Sequence, residues 1–267
     1  MSERRAWIFT LGTEVVRGLV VNTNAAFLGR RLSQIGFKVE GVVSLVDDKK
    51  LIARVLRYVI DVHTPDLLVT SGGLGPTYDD LTLEAVAEAL GRPLTLNDRA
   101  LEILKEKLSR RGLELTKERL KMAYLPEGAE AIYNPVGTAP GALIRYGKTV
   151  LVCLPGVPRE MEEMWLNYAE KIVVGNTNFE LVEGSILVVG VPEATIAPIL
   201  RRLSEEYSST YIKSHPRGHE VTSPVLEIYI SATSQVPGEA RRVVKEVCEK
   251  LGREIDKLGG FIRESRC

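Results

Sequence analysis

Leu67-Leu68-Val69-Thr70-Ser71-Gly72-Gly73-Leu74-Gly75-Pro76-Thr77-Tyr78-Asp79-Asp80-Leu81 is the stretch that decides the fold class. It opens with a short apolar run of the kind found in a strand buried on both faces. Three glycines in four positions end that run, and residues 81–90 resume with helical spacing. A buried strand, a glycine-rich turn and a helix in direct succession form the first half of a parallel β-α-β unit.

The same alternation extends on both sides. Residues 6–11 form an apolar strand and residues 23–35 a helix with Ala26, Leu28, Leu32 and Ile35 on one face. Residues 38–46 are rich in β-formers, and residues 49–62 carry an apolar stripe from Leu51 to Ile60. Near-continuous apolar strands separated by helices predict a doubly wound α/β sheet. Further on, residues 97–112 and 118–124 read as charged outer helices. Residues 142–146 and 149–154 form a hairpin about Gly147-Lys148, and residues 159–173 read as a closing helix. Gly175-Asn176-Thr177-Asn178 reads as a linker. Beyond it, strands at 185–190, 210–213 and 226–232 and helices at 194–207 and 239–258 predict a small βαββα domain. The expected domains are therefore residues 1–174 and 180–267.

Composition narrows the function classes. Thirty-five Lys plus Arg balance thirty-five Asp plus Glu, so no overall basic character points to a nucleic-acid partner. No apolar run reaches the roughly 18 residues of a membrane span, and the N-terminal apolar stretch is too short for a signal-peptide core. Cys153, Cys248 and Cys267 are odd in number, widely spaced and without metal-type pairing. The expectation is a reduced, cytoplasmic protein with neither disulfide framework nor zinc site.

In an open parallel sheet, ligands bind beyond the carboxyl ends of the strands. Gly12-Thr13-Glu14 follows the first strand, Asp47-Asp48 the second, and the glycine-rich segment the third. Glycines let backbone N–H groups crowd an anion, and a helix N-terminus adds roughly half a positive charge. The segment has neither the Walker lysine nor the dinucleotide spacing G-x-G-x-x-G. As a plain turn it reads with Thr77 as N-cap and Asp80 as the acidic partner three residues on. Glu14, Asp47, Asp79 and Asp80 suit a hard cation or a general base; singly, they also suit helix capping. Asn22 is a helix N-cap, which leaves Asn24 for a ligand. The loops at 134–141 and 154–160 are stiffened by proline and glycine and hold backbone donors in place. His215 and His219 have metal-pair spacing, but Pro216 and Gly218 oppose the helix that spacing needs. With Lys213 and Arg217 they read instead as a loop suited to an anion at a domain or dimer interface.

Taken in order, several segments resemble one family. They are Gly12-Thr13-Glu14, Val21-Asn22-Thr23-Asn24, residues 71–77 with Asp79-Asp80-Leu81-Thr82, Gly137-Thr138-Ala139-Pro140-Gly141 and Leu154-Pro155-Gly156-Val157-Pro158. The set resembles the N-terminal part of CinA-type competence/damage-inducible proteins, within the molybdopterin-binding (MoaB/MogA-like) superfamily, over residues 6 to about 173. Val46 and Val157 depart from the usual Gly and Pro. The resemblance implies a three-layer αβα domain with a mostly parallel sheet, followed by a small α/β domain. In the CinA branch it implies metal-dependent hydrolysis of a nucleotide pyrophosphate, ADP-ribose or an FAD-like dinucleotide, to AMP. In the molybdopterin branch it implies binding or adenylylation of the pterin.

On that footing Asp80 and Asp47 are the expected catalytic aspartates. Glu14, Asp79 and Asp80 are the expected ligands of Mg2+ or Co2+, with K+ as a further candidate. Gly12, Asn24, Ser71, Gly72, Gly73, Gly75, Thr138, Pro155 and Gly156 are expected against substrate or phosphate. The resemblance also implies a homo-dimer or trimer, a small nucleotide or pterin as partner, and absence of the C-terminal deamidase domain of full CinA proteins.

Overall fold

The computed structural model describes residues 4–174, 180–208, 210–218 and 224–267. The chain divides into two compact units between residues 176 and 177. The expected linker at 175–178 lies outside the described residues.

The first unit runs β1 (Arg4–Leu11), α1 (Thr13–Val16), α2 (Thr23–Gln34), β2 (Phe37–Leu45), α3 (Lys49–Tyr58), β3 (Leu67–Ser71) and α4 (Thr82–Leu90). It continues with β4 (Leu94–Leu96), α5 (Asp98–Arg110), α6 (Lys117–Leu120), β5 (Tyr124–Pro126), β6 (Glu130–Ile132), β7 (Gly141–Tyr146), β8 (Thr149–Leu154), α7 (Pro158–Met164) and α8 (Glu170–Val174). Six strands form one sheet in the order β2-β1-β3-β8-β7-β6. The first four are parallel; β7 alone runs against them, antiparallel to both β8 and β6, with Gly147 at positive φ in the β7–β8 turn.

Side chains alternate across this sheet, as the pleat requires. Phe9, Leu11 and Leu68 join Ile52 and Leu56 of α3, Val86 of α4 and Leu104 of α5 in one core. Ile8 points the other way, and a Cβ added to Gly29 of α2 would lie 3.9 Å from its Cδ1. Helices on both faces give three layers, and the central strands β3 and β8 are apolar and buried along nearly their whole length, while the edge strand β2 alternates with exposed residues.

Three expected elements differ in detail. Residues 118–124 are not one helix: α6 passes through a tight turn at Lys121–Ala123 into β5. The helix expected over 49–62 ends at Tyr58 in a wide turn over Val59–His63, and a similar wide turn at Trp165–Ala169 separates α7 from α8. The short strands β4, β5 and β6 are too brief for a periodic signal.

The second unit runs β9 (Glu180–Val189), α9 (Glu193–Glu206), β10 (Thr210–Pro216), β11 (Val225–Ser234), α10 (Glu239–Lys257) and β12 (Phe261–Arg266). Its sheet is antiparallel, in the order β10-β11-β9-β12, with α9 and α10 burying one face. The unit is therefore βαββαβ, a split β-α-β arrangement, and not the expected βαββα. The last strand, Phe261-Ile262-Arg263-Glu264-Ser265-Arg266, is charged and largely exposed at a sheet edge, so it carries no alternation to read. Cys267 beyond it forms a disulfide with Cys248 of α10. This corrects the expectation of unpaired cysteines; proximity in the fold, not spacing in the chain, decides pairing. Among the described residues no helix is long and apolar enough to cross a membrane.

Candidate functional site

The carboxyl ends of β2, β1, β3 and β8 open onto a cavity of about 650 Å³ in the first unit. Gly12, Glu14, Asp47, Gly72, Gly73, Gly75, Asp79, Asp80, Thr138, Pro155 and Gly156 all line it, although their segments are far apart in the chain. The parallel sheet delivers them to one edge, as a strand-end site requires.

Glycine is required where these segments touch. Gly72 has φ +116°, and a Cβ there would fall 2.0 Å from Leu11 O. Its N–H donates to Leu154 O at 3.0 Å, so Gly72 ties the ends of β1, β3 and β8 together. Gly75 lies against Asp80, where a Cβ would stand 2.5 Å from Oδ2. Any side chain at these two positions would part the loops that form the cavity floor.

Each aspartate is partly occupied in holding its own loop. Asp47 Oδ2 accepts from Thr13 N and Thr13 Oγ1, both at 2.8 Å, and so fixes the turn that carries Glu14. Asp48 Oδ1 accepts from Leu51 N and caps α3. Asp80 Oδ2 accepts from Thr77 N at 2.8 Å and Thr77 Oγ1 at 2.6 Å. The same hydroxyl also reaches Asp79 Oδ1, so its one proton serves two carboxylates. That hydrogen bond holds the Asp79 carboxyl below its ordinary value. Lys121 Nζ donates to Thr77 O at 2.9 Å and pins the turn. Residues 77–80 thus form a closed turn of their own. Thr77 does not cap α4, which begins at Thr82 after Leu81 and is seated by Thr82 Oγ1 donating to Gly72 O.

Glu14, Asp79 and Asp80 line one cavity; among the described residues no three His, Cys, Asp or Glu side chains are grouped so as to hold a metal ion. Among the described residues the second oxygens of Asp47 and Asp80 accept no hydrogen bond.

Asn24 and Ser71 sit behind the cavity, not in it. Asn24 is buried, and its Nδ2 donates to Ser71 Oγ and to Gly156 O, each at 2.8 Å. Ser71 Oγ in turn donates to Pro155 O at 3.0 Å. The pair braces the 154–158 loop from α2 and β3, and neither is among the residues that line the cavity. Asn22 caps α2 by accepting from Ala25 N.

Three further charged residues reach the cavity: Glu160, Arg111 and Arg119. Glu160 is held by Asn134 Nδ2 at 2.8 Å. Arg111 donates to Thr138 Oγ1 and to Val136 O, and Arg119 to Glu114 O. The two arginines come from segments that pattern alone places on the outside, and Glu160 from the start of the closing helix, where only the stiff 154–160 loop was singled out. Outside the first unit, His215 is an exposed strand residue of β10 and Arg217 pairs with Glu227. His219 lies outside the described residues.

Comparison with known proteins bears on the same segment. A family model described as a probable molybdopterin binding domain matches residues 7–173. A protein of Aeropyrum pernix is 43% identical over 264 residues, covering 97% of each chain. One of Metallosphaera sedula is 42% identical over 257 residues, covering 96% of each. The crystal structure of the protein CinA, of unknown function, from Thermoplasma acidophilum is similar with a TM-score of 0.59 and 41% identity. It covers 64% of this chain and 99% of its own.

Proposed function

The chain belongs to the probable molybdopterin binding domain family, and on that premise we propose that its cavity binds a small phosphorylated ligand, a nucleotide or a pterin. The observation that carries this reading is the convergence of Gly12, Gly72, Gly73, Gly75 and Gly156 on one cavity at the strand ends. Glycines there bring backbone close to a ligand, and N–H donors free of side chains suit phosphate oxygens. Calorimetry with molybdopterin, ADP-ribose and FAD tests it. Saturable binding of at least one is expected, and no heat from any of the three would overturn it. Light scattering on the same samples reports whether the chain is a monomer, dimer or trimer.

A second reading is hydrolysis of a pyrophosphate bond. It is favoured by the oxygens of Asp47 and Asp80 left without protein partners in the same cavity. A carboxylate so placed takes a proton from water as the water oxygen bonds to phosphorus. The bridging P–O bond then breaks, leaving AMP and a second monophosphate. The step uses the chain's own groups; Glu14, Asp79 and Asp80 are the residues that would hold a cation, which would add charge neutralisation at the phosphate. AMP release from ADP-ribose or FAD, measured with EDTA, Mg2+, Co2+ or K+ present, is the test. Asp80→Asn is expected to abolish release while leaving ligand binding. Binding without AMP under every condition would leave the chain a binder only.

A further inference from the structure

The cavity poses an electrostatic problem for any phosphorylated ligand. Glu14, Asp47, Asp79, Asp80 and Glu160 all line it, and an anion entering among five carboxylates needs local cations. The lining supplies two, Arg111 and Arg119. Resting on the phosphorylated-ligand reading, we propose that Arg111 and Arg119 are the specificity-determining pair that holds a ligand phosphate in this cavity.

Among the described residues neither guanidinium forms an ion pair, although acidic side chains share the cavity with them and Glu118 lies within electrostatic reach of Arg119. Arg111 directs two hydrogen bonds to the 136–138 loop and Arg119 directs one to Glu114 O. A guanidinium has five N–H donors in a planar fork, so donors remain on each for an anion. Arg111 immediately follows α5, and Arg119 belongs to α6. The two helices thus carry charge to a wall distinct from the strand ends. Arg111 has a second consequence. Because the same side chain grips Val136 and Thr138, a phosphate drawn to it also loads the loop that lies over Glu160.

Inorganic pyrophosphate is the probe for the pair, since it carries the phosphate and nothing else. Calorimetry on the full chain is expected to show pyrophosphate binding that weakens as salt rises. Arg119→Ala should reduce that affinity at least tenfold with little effect on folding, because among the described residues its side chain donates one hydrogen bond, to a nearby backbone carbonyl. Arg111→Ala risks disturbing the 136–138 loop, so Arg111→Lys accompanies it; keeping the charge should restore part of the loss. Thermal melts confirm that each variant folds. Adenosine, which lacks phosphate, should bind wild type and Arg119→Ala equally or not at all. Wild type that ignores pyrophosphate, or an Arg119→Ala variant that binds it unchanged, would overturn the proposal. ADP-ribose and molybdopterin failing to bind while pyrophosphate binds would instead count against the nucleotide and pterin reading, leaving the arginine pair standing.

Discussion

Gly137 lies directly against the carboxylate of Glu160: a Cβ built on Gly137 would fall 1.8 Å from Glu160 Oε2. The same oxygen accepts from Asn134 Nδ2, so the absence of a side chain at residue 137 fixes where this acid points. Gly137→Ala must move either the loop or the acid. Overpacking of this kind costs about 1–3 kcal/mol. Denaturant titration should show that loss, and the loss should shrink in a Glu160→Ala background, where the obstruction is gone. Equal costs in both backgrounds would mean that the contact is not the cause.

Thr77 controls the titration of Asp79. Its hydroxyl is the first cause of the depressed Asp79 value, with the local backbone second. For a carboxyl whose folded value is lowered, the stabilisation is present above the ordinary carboxylate value and disappears as pH falls through the lowered one. Thr77→Val should raise the Asp79 value toward the ordinary range, which carbonyl-detected NMR titration reads directly. The variant's stability should also depend less on pH across the acid range. An unmoved Asp79 titration would exclude the hydroxyl as the cause.

Asn24 acts as a brace. Its amide joins Ser71 Oγ to Gly156 O, while its own Oδ1 is buried with no partner. Asn24→Ala removes two hydrogen bonds and leaves Gly156 O uncompensated, at a cost of about 1–3 kcal/mol. Ligand affinity should fall with it, because Gly156 in the 154–158 loop then loses its tie to α2. A variant as stable as wild type with fully retained affinity would contradict this role.

The second unit is stapled and the first is not. The Cys248–Cys267 bridge closes a 19-residue separation, for which loop entropy gives about 3 kcal/mol. Reduction, or Cys267→Ser, should lower the unfolding midpoint of the second unit and leave the first unchanged in calorimetry. Thiol counting in denaturant without reductant should find one thiol, Cys153; three would refute the pairing. In the native state that thiol should resist alkylation, since burial pushes it up to about 11.

The parallel α/β core could be read directly from the chain. Apolar strands such as residues 67–71, each followed by an amphipathic helix, admit few other arrangements, because a strand buried on both faces needs helices on both sides. The strand-end placement of Gly12, Asp47 and residues 72–80 followed from the same logic, since a parallel sheet puts all its carboxyl ends on one edge. Packing alone decided the rest. Asn22 and Asn24 are two residues apart and of identical chemistry, yet the first caps a helix and the second braces a loop 132 residues away. Arg111 and Arg119 line the cavity although the sequence pattern places their helices on the outside, and Glu160 joins them from α7. The edge strand β12 and the Cys248–Cys267 bridge depend on a partner strand some 75 residues earlier in the chain. Periodicity reports which face of an element is buried; which distant groups meet there is fixed only when the elements pack.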